Sequence, residues 1–213
     1  MLERSMPSIE YLEKFGNTYG FSREWLLTGK GCIFQQFRGT ETDQGIQEFI
    51  ETEKLSHIVF IRTDDHQQDI RLLMGDGLYR WFVLPSRWCL AYSRLMNEEW
   101  HLKGFYEILA MAFGKSGLGG SLKVSSLSID IQTEQNFIDE KIHPAALAFS
   151  ASDRPNSKNW ADDFRDIMWR HGEYTDRLEY RYGKDFVGCM RYLKSELNSD
   201  QFFRAKIEKY DRW

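Results

Sequence analysis

The sequence predicts an α+β fold in which helices pack around a short antiparallel β-sheet. Apolar residues recur at helical spacing over residues 7–31 and again over about the last sixty residues. Between residues 56 and 92, short apolar runs are separated by polar and glycine-containing turns, as strands are. A chain of 213 residues is long enough to bury such a core without disulfides or a bound metal.

Two short helices are predicted at the N-terminus. Pro7 and Ser8 suit the start of the first helix, and Gly20 supplies a left-handed stop. Ser22 can then cap a second helix that ends at Gly29. Helices this short do not bury themselves, so we expect them to pack against earlier helices or against the domain that follows.

A linker helix and a four-strand antiparallel meander are predicted next. The linker helix lies within residues 32–55, where residues 40–43 form a helix start that precedes one narrow apolar face. The Asp-Gly pair at 76–77 is typical of a tight hairpin turn. The four predicted strands are the apolar runs at 58–61, 70–74, 78–84 and 88–92. The run at 70–74 fits a helix equally well.

The second half of the chain is predicted to be mainly helical. Residues 97–113 form an amphipathic helix, the alternation over residues 122–131 predicts a strand, and a short helix is expected to stop before Pro144. Asn159 can cap the first of the C-terminal helices. A near-heptad stripe on those helices predicts either a homodimer seam or a packing face within the domain. Its members are Tyr174, Leu178, Tyr182, Phe186, Met190, Leu193 and Leu197.

Composition restricts the partners and the compartment. The net charge of −4 means that the chain as a whole is not drawn to nucleic acid or to an anionic membrane. The three cysteines, Cys32, Cys89 and Cys189, are far apart and form neither a disulfide framework nor a zinc pattern. No apolar run has the length of a membrane span, and no signal peptide is recognisable at the N-terminus. We therefore expect a cytoplasmic protein without membrane contact.

The N-terminal helices resemble part of a known DNA-binding domain. The segments PSIEYLEKF at 7–15, GFS at 20–22 and WLLTGKG at 25–31 resemble the last two helices of the Cro and lambda-repressor type (XRE-like) of helix-turn-helix domain. The third segment is the most specific, because in that family such an ending closes a five-helix DNA-binding domain. The helix that reads the major groove would then lie upstream of residue 1. Either the chain is part of a longer regulator, or the protein has lost the groove-reading half.

The resemblance implies a prokaryotic or prophage transcriptional regulator. Residues 1–31 would end the helix-turn-helix domain, residues 32–55 would be a linker helix, and residues 56–213 would form an α+β domain for dimerisation and for sensing a small-molecule or protein effector. DNA is an expected partner only when the upstream helices are present, and the chain is expected to be a homodimer. The alternative is a truncated, antirepressor-like protein that sequesters a full-length regulator by mixed dimerisation.

The same resemblance implies contacts to DNA phosphates near the N-terminus. The loop before the fourth helix of that family often lies near phosphates, and the corresponding basic and hydroxyl groups are Arg4, Ser5 and Ser8. The alternative is a frayed terminus in which Ser8 only caps a helix. Residues 1–31 carry four basic and four acidic side chains, so this segment has no electrostatic footprint for DNA by itself.

A group of aromatic side chains is a candidate ligand pocket. A site for an apolar or planar ligand could be lined by the rings of Tyr79, Trp81, Phe82, Trp88, Tyr92 and Trp100. The alternative is that these rings are simply core.

The remaining motifs do not support chemistry. Gly114-Lys115-Ser116 lacks the earlier glycine of a phosphate-binding loop and ends a predicted helix, and Asp64-Asp65-His66 fits a solvated turn. Gly77 stands where self-cleaving repressors have their serine nucleophile. We therefore expect no catalytic residues, no metal and no cofactor.

Overall fold

A mixed β-sheet with helices on both faces forms the centre of the protein, and the fold belongs to the predicted α+β class. The computed structural model describes residues 7–64, 68–90, 99–116, 122–152, 160–165 and 175–210. The strands are β1 (His57–Thr63), β2 (Asp69–Gly75), β3 (Trp81–Val83), β4 (Trp88–Cys89) and β5 (Lys123–Ile129). The helices are α1 (Ile9–Tyr19), α2 (Arg23–Thr28), α3 (Asp43–Glu53), α4 (Glu99–Ser116), α5 (Ile131–Ile138), α6 (Pro144–Ser152), α7 (Trp160–Arg165), α8 (Thr175–Tyr182), α9 (Lys184–Ser199) and α10 (Gln201–Glu208).

The two N-terminal helices begin and end where the sequence predicts. The hydroxyl groups of Ser8 and Ser22 accept backbone N–H groups in the first turns of α1 and α2. Gly20 and Gly29 end the helices, with φ values of 74° and 67°. The local capping chemistry was therefore sufficient to place both helices.

The sheet order is β3-β2-β1-β5, with β4 also paired to β2. β1, β2 and β3 are connected antiparallel neighbours, and the run at 70–74 is a strand rather than a helix. The predicted four-strand meander is wrong in one respect, because β4 returns to pair with β2 beside β3 instead of extending the sheet. β5 lies parallel to β1, and α4 supplies the crossover that parallel pairing needs.

Side chains of β1 alternate between two apolar layers. Ile58 and Phe60 face the larger layer, which α4, α7, α9 and α10 help to form, whereas Val59 and Ile61 face a smaller layer with α5 and α6. A strand buried on both faces reads as a continuous apolar run, which explains its sequence. Buried Ile46 of α3 belongs to the larger layer, so the helix predicted as a linker packs within the α+β domain.

Two element boundaries differ from the prediction. β5 ends at Ile129, because the Asp130 carboxylate accepts the Thr133 N–H at 2.7 Å and thereby starts α5. Ile131 is consequently an exposed helical residue and not part of the strand. Pro144 does not only follow a helix but opens α6, whose nearly uniform apolar composition gave no helical period to detect.

The C-terminal stripe faces the interior of its own chain. All six of its described members are buried in the larger layer, from Leu178 at 9% exposure to Phe186 at 0%, and Tyr174 lies outside the described residues. The packing-face alternative is therefore the one that the structure has. A second copy cannot contact these side chains in this conformation, so the stripe does not provide a dimer seam.

A buried arginine joins the sheet to the C-terminal helices. The guanidinium of Arg62 donates to Asp64 Oδ1 at 3.1 Å and to Ser128 Oγ at 3.3 Å, and its Cζ lies 5.1 Å from the centre of the Tyr182 ring. The Tyr182 hydroxyl donates to Asp163 Oδ2 at 2.6 Å. Burial and this hydrogen bond both raise the pKa of Tyr182.

None of the described helices is both long and apolar enough to cross a membrane.

The stripe assignment predicts a large difference between two phenylalanines. Phe186→Ala should lower the free energy of unfolding by about 3–5 kcal/mol, because it leaves a cavity in the core. Phe202→Ala should change it by less than about 0.5 kcal/mol, because this ring is 88% exposed on α10. Equilibrium urea denaturation measures both. Similar small effects would show that Phe186 does not lie in the core.

Because two tyrosines are buried, we expect the protein to lose stability at alkaline pH. Burial and a 2.7 Å hydrogen bond to Asp43 raise the pKa of Tyr210, as burial and Asp163 raise that of Tyr182. Above pH of about 10 the unfolded chain then loses protons that the folded chain retains. The free energy of unfolding should therefore fall as the pH rises from about 10, the ordinary pKa of tyrosine, to about 12.

Urea denaturation across that pH range measures this decline. The double variant Tyr182→Phe, Tyr210→Phe should show a smaller decline, whereas Tyr180→Phe, whose ring is 95% exposed, should keep the wild-type decline. An unchanged slope in the double variant would contradict the assignment.

Candidate ligand site at the helical junction

Residues 33–37 attach the N-terminal helical pair to the edge of the sheet. On the sheet side, the Phe37 N–H donates to the Val83 carbonyl at 2.9 Å, and the Val83 N–H donates to the Gln35 carbonyl at 3.0 Å. This is parallel strand pairing over a short length, with Gln36 opposite Val83. The segment thus occupies the edge of β3 that would otherwise be open.

The other side of the same segment bonds the turn between α1 and α2. The Gln35 N–H donates to the Gly20 carbonyl and the Ser22 N–H donates to the Ile33 carbonyl, both at 2.8 Å. Gly20 also fits tightly, since a Cβ there would lie 3.0 Å from the Trp81 backbone nitrogen. Positive φ and this close approach both require glycine. The helical pair is therefore docked on the sheet through its backbone, and we call this contact, made by residues 33–37, the junction.

Glu140, in the turn between α5 and α6, anchors the start of the segment. Its two carboxylate oxygens accept the Ile33 N–H at 2.8 and 2.9 Å, and Oε1 also accepts the Phe34 N–H at 3.4 Å. A carboxylate that accepts backbone N–H groups makes hydrogen bonds stronger than neutral ones. The α5–α6 turn therefore holds a segment more than a hundred residues earlier in the chain.

His143, three residues later, holds the end of α1. Its Nδ1 accepts the Ala145 N–H at 3.1 Å, so the neutral ring carries its proton on Nε2 and donates to the Tyr19 carbonyl at 2.9 Å. The ring also meets the Phe21 and Phe34 rings edge to face, at centroid distances of 5.6 and 4.9 Å. These contacts fix the helical pair to the residues just before α6.

A cavity of about 470 Å³ lies at the junction, which is within the size range of small-molecule sites. It lies between α2, the segment after it, α3 and β3. The rings of Phe34, Phe49 and Phe82 supply its apolar wall. The polar part of the lining consists of Asn17, Ser22, Arg23, Glu24, Gln35, Gln36, Arg38, Glu53 and Arg80, and Gly31 and Cys32 complete it.

Arg80 is held in the cavity wall by an ion pair and by a contact with an aromatic ring. Its guanidinium forms an ion pair with Glu53 and lies 5.0 Å from the centre of the Phe82 ring. Its Nε is buried and has no hydrogen-bond partner in the described part of the chain. The same holds for Oε1 of Gln35, whose amide nitrogen is engaged by carbonyls of the helical pair. A buried polar atom without a hydrogen bond destabilises the folded protein by about 1–3 kcal/mol. A polar ligand or water that bonds to these atoms would therefore bind more favourably.

Of the aromatic residues predicted as a pocket, Phe82 lines this cavity, whereas Tyr79, Trp81 and Trp88 do not. Trp81 is buried in the smaller layer and Trp88 in the larger one, on opposite faces of the sheet. Tyr79 is 52% exposed in the turn before β3. Tyr92 lies outside the described residues, as does the side chain of Trp100. The structure does not bring Trp81 and Trp88 together, and both are core residues.

The other predicted groups are also placed, as far as they are described. Ser8 Oγ caps α1 by accepting the Tyr11 N–H at 3.2 Å, whereas Arg4 and Ser5 lie outside the described residues. Gly114 lies near the C-terminal end of α4, where a phosphate-binding loop would face the wrong helix pole. Among the residues that the structure describes, no group of three or more His, Cys, Asp or Glu side chains is arranged to hold a metal ion.

Sequence reasoning missed the junction cavity because its lining comes from scattered positions between Asn17 and Phe82. Most of them are charged or amide side chains that resemble ordinary surface residues. Comparison with protein-family models, with curated proteins and with solved structures found no significant match to this chain.

The anchoring role of Glu140 is testable by hydrogen exchange. Glu140→Gln removes the charge from the acceptor of the Ile33 and Phe34 amides, so both should exchange about 10-fold faster or more, given that such bonds contribute about 1.5–3 kcal/mol. Glu48→Gln is the matched control, because Glu48 is exposed on α3. If the two amides exchange no faster in Glu140→Gln than in Glu48→Gln, Glu140 does not hold the segment.

Proposed function

We propose that this chain is part of a cytoplasmic transcriptional regulator, in which it supplies dimerisation and effector sensing and has no enzymatic activity. The observation that carries the proposal is the docking of α1 and α2, the pair that resembles the end of a helix-turn-helix domain, on the sheet with a cavity at the contact. A ligand in that cavity would touch both units at once. Sensing and DNA binding would then share one set of contacts.

The exposed side of the helical pair supports a DNA-binding domain that continues upstream. Gly16 is the one buried residue of α1, and Ile9 and Leu27 remain 59% and 42% exposed. Amphipathic helices bury their apolar side when their packing is complete. In the resembled domain, the preceding helices pack on this pair, and we propose that they cover Ile9 and Leu27 here.

Ligand binding would act by changing the position of the helical pair. Arg23 and Glu24 of α2 face the cavity from one side, and Arg80 and Phe82 face it from the sheet side. A ligand that prefers one spacing of these walls shifts the population toward it, by as much as its affinities for the two states differ. In a dimer, half-sites lie about 34–36 Å apart, so a small rotation of each pair alters the fit to DNA.

Chromatin immunoprecipitation of the full-length gene product in its own host tests the proposal. We expect a few discrete sites, each with two half-sites about 10 base pairs apart or a multiple of that spacing. Glu140→Gln should lower their occupancy, because it loosens the docked pair, and Glu48→Gln should not. Absence of enriched sites at equal expression would overturn the proposal. If the protein instead co-purifies with a longer regulator and removes it from DNA, the antirepressor alternative replaces it.

A further inference from the structure

Five exposed apolar side chains from three elements form one surface beside the junction. They are Tyr11 and Tyr19 of α1, Leu78 and Tyr79 of the turn between β2 and β3, and Phe149 of α6, and they are between 39% and 63% exposed. We call these five residues the ring surface. It lies across the docked pair and the sheet domain, so both units contribute to it.

The rings of this surface are in contact with one another and are not scattered. Tyr19 lies 5.7 Å from Tyr79, and Tyr79 lies 6.2 Å from Phe149, measured between ring centroids. Phe15 links Tyr11 to Tyr19, at 6.4 and 4.8 Å. All four distances are in or near the range of favourable aromatic pairs. The side chains therefore form a continuous band that passes from α1 to α6.

The exposed area of the ring surface approaches what one side of a homodimer needs. From the exposed fractions and the usual size of these side chains, it presents roughly 500 Å² of surface, mostly apolar but with the hydroxyl groups of three tyrosines included. A standard interface buries about 800 Å² on each partner, of which about 65% is apolar in homodimers, or about 520 Å². A patch of this size is at the upper end of what monomers expose.

Its chemistry suits a second copy of the same surface. α6, with the sequence PAALAFSAS, contains no charged residue, so a partner recognised by charge has nothing to pair with on this helix. In a two-fold contact, the same patch meets itself and apolar rings meet apolar rings. Aromatic side chains are also the residues that dominate interface energies.

We infer that the chain forms a homodimer through the ring surface. The inference rests on the proposed function only for the expectation that the protein pairs. The C-terminal stripe is internal, so this surface takes its place as the predicted seam. Ile9 and Tyr11 lie two positions apart on α1 and point to opposite sides, so upstream helices over Ile9 leave Tyr11 open. Pairing here would place the two α1 helices on either side of the dimer axis and fix the distance between the DNA-binding units.

Sedimentation equilibrium on the full chain tests the inference, over a protein concentration range of about 1 to 100 μM, which brackets moderate affinities. The wild type should be a dimer at the upper end. The double variant Tyr79→Ser, Phe149→Ser should raise the dimer Kd at least 100-fold, on the order of two interface hot spots, with an unchanged circular dichroism spectrum. Both side chains are exposed, so folding should survive.

The matched control is the double variant Tyr180→Ser, Phe202→Ser, which removes two aromatic rings that are 95% and 88% exposed elsewhere. Its Kd should equal that of the wild type. A monomeric wild type at the highest concentration, a dimer that survives the Tyr79 and Phe149 changes, or equal weakening by the control would each overturn the inference. Self-association is read without DNA, so this result stands apart from the occupancy of genomic sites.

Discussion

The pairing of residues 33–37 with the edge of β3 is the constraint on which the arrangement of the N-terminal half depends. This short segment donates and accepts backbone hydrogen bonds on both of its sides, to Val83 on the sheet and to the α1–α2 turn. Because the segment is bonded on both sides, the helical pair is docked on the domain rather than joined to it by a free tether. The cavity and the ring surface exist only because this attachment places their two halves together.

Hydrogen bonds from the residues just before α6 reinforce this attachment. Glu140 and His143 both lie near the start of α6. Glu140 accepts a hydrogen bond from the segment, and His143 donates one to the end of α1. α6 in turn packs on the smaller apolar layer through Ala145, Leu147 and Ala148. The smaller layer thus covers one face of the sheet and also holds α6, whose preceding residues anchor α1 and α2.

The cavity and the ring surface share a structural element, which gives a physical reason for coupling between them. Tyr79 contributes to the ring surface, and its neighbour Arg80 forms part of the cavity wall and pairs with Glu53 of α3. A ligand that changes the Arg80 contacts acts on the same turn that carries Tyr79. In the proposed regulator, effector binding and the geometry of the dimer would therefore be linked through residues 76–80.

The sequence by itself determined the elements whose signals are local. Capping by Ser8 and Ser22, glycine stops, the α4 period and the alternating strand before Asp130 all depend on neighbours within a few residues. These signals were enough for the α+β class and for both N-terminal helices.

Only the tertiary structure decided which surfaces are inside and which elements meet. An amphipathic stripe has the same period whether it packs on its own domain or on a partner, so the burial of Phe186 could not be read from spacing. Contacts between distant parts of the chain decide the return of β4 to β2, the edge position of residues 33–37 and the cavity that Asn17 and Arg80 both line. Such contacts are set by the packing of the whole core, which no local pattern encodes.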